Sequence, residues 1–180
     1  RSRKAAHIPR TADTQVYVLT LSTSPSLSEP LDALRKKYFP ARLNFTPAHL
    51  TMFHALPASE LPSITAKIEE LCAATQPFTM RTGAPFRLRR GVGIGVAEGA
   101  AEAKKVHYEL QSAWKGFLSE QDRQKWHLHW TVQNKVTEER KVWETFEEVE
   151  GFEGAEGEAR GCTLWRYEGG NWGFERDFEF

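Results

Sequence analysis

Cysteine is nearly missing from this chain. Only Cys72 and Cys162 occur in 180 residues, too few for a disulfide-built secreted fold, so a reducing compartment is expected and both thiols serve as small buried apolar residues. Net charge is missing too: 24 Lys and Arg balance 24 Asp and Glu. That removes the whole-chain field as an argument for duplex DNA or an anionic membrane, and any anion site must be local. No apolar run approaches the roughly 18 residues of a membrane span, and the basic stretch RSRKAAHIPR leads into no signal-type apolar core. A cytoplasmic protein is expected, with the nucleus open. Three motifs are also lacking. There is no H-E-x-x-H or cysteine cluster, no G-x-S-x-G, and in GVGIGVAEG the third glycine of G-x-G-x-x-G is replaced by Glu98, so that nucleotide loop is absent.

What remains is globular in composition, 40% hydrophobic and 27% charged, enough for one domain or two small intimate lobes. Residues 1–14 are expected to form a flexible tail and 15–180 the folded unit. Periodicity and punctuation sort that unit into alternating short elements. QVYVLTLS at 15–22 predicts a central strand. SEPLDALRKKYF predicts a helix with Ser28 or Glu29 near the cap and Pro30 early in it. HLTMFHAL predicts a strand closed by Pro57, and SELPSITAKIEELCAAT a helix. FTMRTGAPFRLRR and VGIGVA predict two extended pieces. Residues 100–118 carry apolar side chains at helical spacing. HLHWTVQNKV predicts a strand, TEERKVWETFEEV a helix, and GCTLWRYEGG and GFERDFEF closing strands. The acid- and glycine-rich run from Glu147 to Glu158 is expected to be a solvated loop.

The order repeats itself. A helix leads into HLTM, then a helix and a strand; later a helix leads into HWTV, then a helix and a strand. The shared tetrapeptide is His-x-Thr followed by an apolar residue, and its histidines, His49 and His129, lie 129 − 49 = 80 residues apart. Two similar α/β lobes follow from this. Strand alternation puts His49, Thr51 and Phe53 on one face, with Met52 and His54 on the opposite, core-facing side. In the second strand His127, His129, Thr131, Gln133 and Lys135 share a face. Burying five such groups without partners would cost about 1–3 kcal/mol each, so that face should look onto a cleft. An imidazole titrates near pH 6.5, which allows one ring to take a proton while the other gives one, with threonine hydroxyls on the non-bridging oxygens of a phosphoryl group. This scheme needs no metal and no cofactor.

The pair HLTM and HWTV resembles the paired motif of the 2H phosphoesterase superfamily, the LigT-like or 2′-5′ RNA ligase-like proteins. The resemblance runs from PAHLTMFHALP through PFRLRRGVGIGV to HWTVQNKV. It implies an α+β fold, bilobal and pseudo-symmetric, of mainly antiparallel sheet with helices on the outer faces around a central cleft. It also implies metal-independent chemistry on 2′,3′-cyclic phosphates or 2′-5′ phosphodiesters of RNA ends or small nucleotides, with ligation as the reverse reaction. His49 and His129 would then be the acid and base, and Thr51 and Thr131 would bind phosphate. Where members commonly have proline before the second histidine, this chain has Leu128.

Other residues have weaker claims. His127 could orient His129 or touch substrate. Gln133 and Lys135 could reach ribose or a neighbouring phosphate, although an edge lysine also keeps a sheet soluble. Arg87 and Arg89, with Arg90, form a candidate anion clamp whose plainer reading is a charged hairpin. Phe53 and Tyr17 are candidate base-stacking platforms, against the commoner core role of strand aromatics. His54 is expected to be a buried core histidine, His107 a solvated helix residue, and His7 part of the tail. Two further functions compete: a nucleotide-binding module that keeps the cleft without turnover, and a zinc site from His127-x-His129 plus His49. A monomer is expected, binding a small nucleotide or RNA terminus, with no membrane and no duplex DNA as partners.

Overall fold

The computed structural model describes residues 14–180. Apart from Thr14, the expected tail, with His7, lies outside these residues. The described chain runs β1 (Val16–Thr23), α1 (Pro25–Tyr38), β2 (Leu50–Pro57), α2 (Leu61–Ala73), β3 (Phe78–Leu88), β4 (Gly91–Glu98), α3 (Ala100–Trp114), β5 (His129–Gln133), α4 (Glu139–Glu150), β6 (Glu156–Glu168) and β7 (Asn171–Glu179). All seven strands join one antiparallel sheet, ordered β2-β1-β6-β3-β4-β5 with β7 paired to β6. It curls into a half-barrel with four α-helices. No helix among the described residues is long and apolar enough to cross a membrane.

The two lobes are halves of this sheet, spliced at β6. From Ala159 to Arg166 it pairs with β1, while Glu156–Ala159 pairs with β3 and Gly161–Glu168 with β7. The acidic run expected as a loop is therefore mostly ordered. Helix α4 takes its start through Glu150 and β6 begins at Glu156, because cross-strand partners on β3 outweigh the local polarity. Helix α1 also starts earlier than its proline pattern suggested. Pro25, not Pro30, takes the first-turn position, and Pro30 lies inside the helix. The core is continuous through both halves, with Leu19, Leu31, Ile64, Ile68, Trp114 and Trp130 almost fully buried.

Register decides which side chains reach the cleft. Thr20 pairs with Thr51 but Leu19 pairs with Phe53, so β2 carries one extra residue, Met52, between them. In β5, Gly93 pairs with Thr131 and Val92 with Gln133, so the extra residue there is Val132. A bulge flips the side chains that follow it, up to the next irregularity in register. Phe53 is consequently 0% exposed in the core, not on the cleft wall, and His54 is turned outward and exposed, not buried. Tyr17 is likewise buried, closed off by the core rather than free to stack a base. His107 departs furthest from expectation. Instead of standing in solvent it is buried on α3, sandwiched between Phe53 at 4.7 Å and Trp126 at 4.7 Å, with a hydrogen bond to the carbonyl of the bulge residue Met52.

Burial pushes the His107 imidazole down to about 4, against the opposing pull of the Met52 carbonyl and Asp122. The unfolded chain, with histidine near 6.5, binds the proton first, so this stabilisation is complete above pH 6.5 and is lost as pH falls towards 4. Urea unfolding between pH 7 and pH 4 should show a loss of up to about 3 kcal/mol attributable to this site. In His107→Phe, which keeps the ring stack but cannot titrate, the slope over that range should be shallower. An unchanged slope would contradict the assignment.

Candidate active site

Strands β2 and β5 are the ends of the sheet order, so each has one edge with no neighbouring strand. Side chains from elsewhere satisfy those edges. On β2, Asp32 accepts the Ala48 N–H just ahead of the strand, Asp122 accepts the N–H groups of His54 and Ala55 at 2.9 and 3.0 Å, and the Trp126 indole donates to the Thr51 carbonyl at 2.7 Å. On β5, the Arg35 guanidinium donates to the Thr131 carbonyl at 2.8 Å. The threonine carbonyl of each motif is thus held by one long side chain. Arg35 also reaches back to the approach to β2, donating to Asn44 at 2.8 Å and to the Thr46 carbonyl at 3.0 Å. Burial lowers its pKa to about 10, partly offset by Asp32, which leaves it charged at neutral pH.

The two motif histidines are held alike. His49 Nδ1 is 2.6 Å from the Pro47 carbonyl, and His129 Nδ1 is 2.7 Å from the His127 carbonyl. A carbonyl only accepts, so Nδ1 carries the hydrogen in both rings and Nε2 is left with its lone pair. Both rings and both threonines line one cavity of about 440 Å³, large enough for a nucleotide-sized ligand. Trp172, near the start of β7, covers His49 with ring centroids 4.5 Å apart, and Phe86 meets His129 edge-on at 5.4 Å. Gly93 and Gly95 pair with Thr131 and His129. A Cβ on Gly93 would come within 2.7 Å of Phe86 Cζ and 3.3 Å of His129 Cδ2, so the glycine-rich stretch gives His129 a strand floor without side chains.

Desolvation pushes His49 down to about 4, opposed by the Pro47 carbonyl and reinforced by Arg35, His54 and His129. His129 is lowered as well, first by burial, then by His127 and His54, with the His127 carbonyl opposing. Both rings are therefore neutral near pH 7. Each can accept a proton at Nε2, and an anion between them would favour protonation of either.

Of the sequence candidates, the cavity gathers His49, Thr51, His127, His129 and Thr131. The others lie elsewhere. Gln133, flipped by the Val132 bulge, is buried and donates to Thr145 at 2.7 Å. Lys135 is exposed beyond β5, where a left-handed φ of 62° and the Asn134 side chain on its N–H end the strand. Arg87 lies over the Trp143 ring at 3.8 Å and pairs with Glu139, while Arg89 is exposed in the β3–β4 turn. Arg87 is thus engaged with α4, and neither arginine lines the cavity that holds the two motif histidines. Nor do His49, His127 and His129 form the zinc site: among the described residues no three His, Cys, Asp or Glu side chains are grouped to hold a metal ion. Sequence reasoning missed Trp172, Trp126, His54, Asp122 and Lys125, all of which line the cavity. None stands in a motif; only the odd polarity of His54 within an apolar strand hinted at its position.

A family model described as the 2′-5′ RNA ligase superfamily matches residues 23–171. E. coli LigT complexed with 3′-AMP is similar in fold, at 12% identity over 92% of this chain and 98% of that one, with a TM-score of 0.62. TT0787 of Thermus thermophilus is similar at 19% identity over 91% and 97%, with a TM-score of 0.64. Kluyveromyces marxianus Usb1 is similar at 12% identity over 94% and 100%, with a TM-score of 0.51. No curated protein sequence matches the chain.

Two outcomes test this geometry. Trp172→Ala opens the His49 ring to water, so an NMR titration should show its pKa move up towards 6.5; a value left near 4 would mean that Trp172 contributes little to its desolvation. Arg35→Met leaves the Thr131 and Thr46 carbonyls without their donor, and urea unfolding should show a loss of about 2–5 kcal/mol.

Proposed function

The chain belongs to the 2′-5′ RNA ligase superfamily, the two-histidine phosphoesterases, and from that premise we propose that it is a metal-independent phosphodiesterase. Its substrates would be 2′,3′-cyclic phosphates or 2′-5′ phosphodiesters of RNA ends or small nucleotides. The observation that carries this reading is the matched pair of imidazoles, His49 and His129, each held at Nδ1 by the carbonyl two residues before it and each lining the same cavity. In hydrolysis of a cyclic phosphate, one Nε2 takes a proton from water as the water oxygen bonds to phosphorus. The other imidazole, protonated, gives its proton to the ribose oxygen as the P–O bond breaks, and the product is a 2′- or 3′-phosphomonoester. Thr51 and Thr131 donate to the non-bridging oxygens as negative charge develops there. With a second ribose hydroxyl attacking in place of water, the same steps form a phosphodiester and free the other ribose oxygen; run backwards, they cleave that diester to a cyclic phosphate and a hydroxyl. Similar folds bind related molecules: E. coli LigT structures are complexed with 3′-AMP and with NADP+. A small nucleotide or RNA terminus is accordingly the ligand proposed here.

The test is a panel of 2′,3′-cyclic mononucleotides, cyclic-phosphate RNA, and 2′-5′ and 3′-5′ oligonucleotides. Turnover should survive excess chelator, and His49→Ala or His129→Ala should each cut kcat at least about 100-fold, the usual share of general acid–base catalysis. Because both imidazoles are pushed down in the free protein, the bell-shaped profile of kcat/KM should centre below pH 6.5. Nucleotide binding without turnover anywhere in the panel would instead favour the binding-module function.

A further inference from the structure

The cleft continues along β2 past the motif pair. There the bulge turns His54 onto the cleft wall, its side chain 46% exposed, against Asp122, whose side chain is 1% exposed. Asp122 Oδ1 accepts the His54 backbone N–H at 2.9 Å and lies 3.3 Å from the ring Nδ1, while Oδ2 accepts the Ala55 N–H at 3.0 Å. Burial alone would raise this carboxyl, but the hydrogen bonds from the His54 ring and from the His54 and Ala55 N–H groups hold it below its usual value. A carboxylate only accepts, so Nδ1 carries a hydrogen; a phosphate oxygen only accepts as well, so His54 meets it as the imidazolium, donating from Nε2–H with Asp122 balancing the charge behind it. The segment joining α3 to β5 adds Gln121, Gln124 and Lys125 to the same cavity. The result is an ammonium, two amide side chains and an imidazole backed by a buried anion, a set suited to receive negative charge.

Among the described residues this cluster has no counterpart at the equivalent place in the other half. The residue 80 positions beyond His54 is Asn134, which does not line the cavity. At a strand rise of about 3.3 Å per residue, His54 lies roughly 7–10 Å beyond Thr51. That is too far for the reacting phosphate and within the reach of the next phosphate across one ribose. The reacting centre is nearly symmetric and cannot by itself tell the two ends of a diester apart; an anion subsite on one side can.

We infer that His54, backed by Asp122 and flanked by Lys125, binds a second phosphate of the substrate, the one on the 5′ oxygen of the reacting ribose. The preferred substrate class is then a 5′-phosphorylated 2′,3′-cyclic nucleotide or RNA end, in preference to a nucleoside cyclic phosphate with a free 5′-hydroxyl. This rests on the phosphodiesterase reading for its substrate, but its binding arm is independent of turnover. Kinetics with adenosine 2′,3′-cyclic phosphate, its 5′-phosphorylated form and a dinucleotide ending in a cyclic phosphate should show about tenfold higher kcat/KM for the last two, expressed in KM, as one charge-assisted contact provides. The mononucleotide and the dinucleotide separate a terminal phosphate from a chain diester as the group bound. Calorimetry with adenosine 3′-monophosphate and adenosine 3′,5′-bisphosphate should give the same ratio in Kd. His54→Ala should bring both ratios close to one, and His54→Arg, which restores a cation, should keep them. Ratios near one in the wild type, ratios unchanged in His54→Ala, or an equal loss on all substrates would each overturn the proposal. If no cyclic phosphate is turned over, the phosphodiesterase reading falls, and the Kd ratio alone decides the second-phosphate site.

Discussion

The guanidinium of Arg35 is the contact on which the site's geometry depends. It leaves α1, is buried, and binds both halves of the fold at once: Thr131 on β5, and Asn44 and Thr46 on the segment that delivers β2. Removing a charged fork of this kind from water is costly, and the cost is offset only when its donors are satisfied together. Here they are, and Phe39 lies under the guanidinium at 3.9 Å. The relative position of the two motif strands is therefore coupled to one side chain that has few alternative partners.

A broader pattern surrounds it. Edge strands normally expose unpaired backbone groups that invite another strand, and both motif strands are edges. Asp32, Asp122, Trp126 and Arg35 occupy those groups with side chains. Such a solution protects the edge, and it also leaves the strand faces free for chemistry. The bulges at Met52 and Val132 complete it. In each strand the apolar residue after the threonine marks the point where alternation breaks, so the motif's fourth position marks a change of backbone register as well as a core contact.

That break explains what the sequence could and could not disclose. The paired motifs and most element positions are legible because periodicity and an 80-residue repeat express them directly, whereas the α+β class and the antiparallel sheet come through the family resemblance that the motifs carry. His54 and Phe53 exchange their expected environments because a bulge is a tertiary feature, visible only once β1 is laid beside β2. Gln133 is turned inward for the same reason. His107 looked solvated because helical periodicity assigns a face and not a neighbour, and here the neighbours are two aromatic rings from distant segments. Trp172 was hidden because it reaches the cleft through the last hairpin, about 120 residues from the histidine that it covers.

The splice at β6 has a mechanical consequence. Both halves share one strand, hydrogen-bonded to β1 along one edge and to β3 and β7 along the other. They cannot swing apart as independent rigid bodies without breaking that ladder, so the fold has no hinge of the kind that closes two domains on a ligand. The distance between the two imidazoles is set by the curvature of a continuous sheet, and the site is preorganised before any ligand arrives.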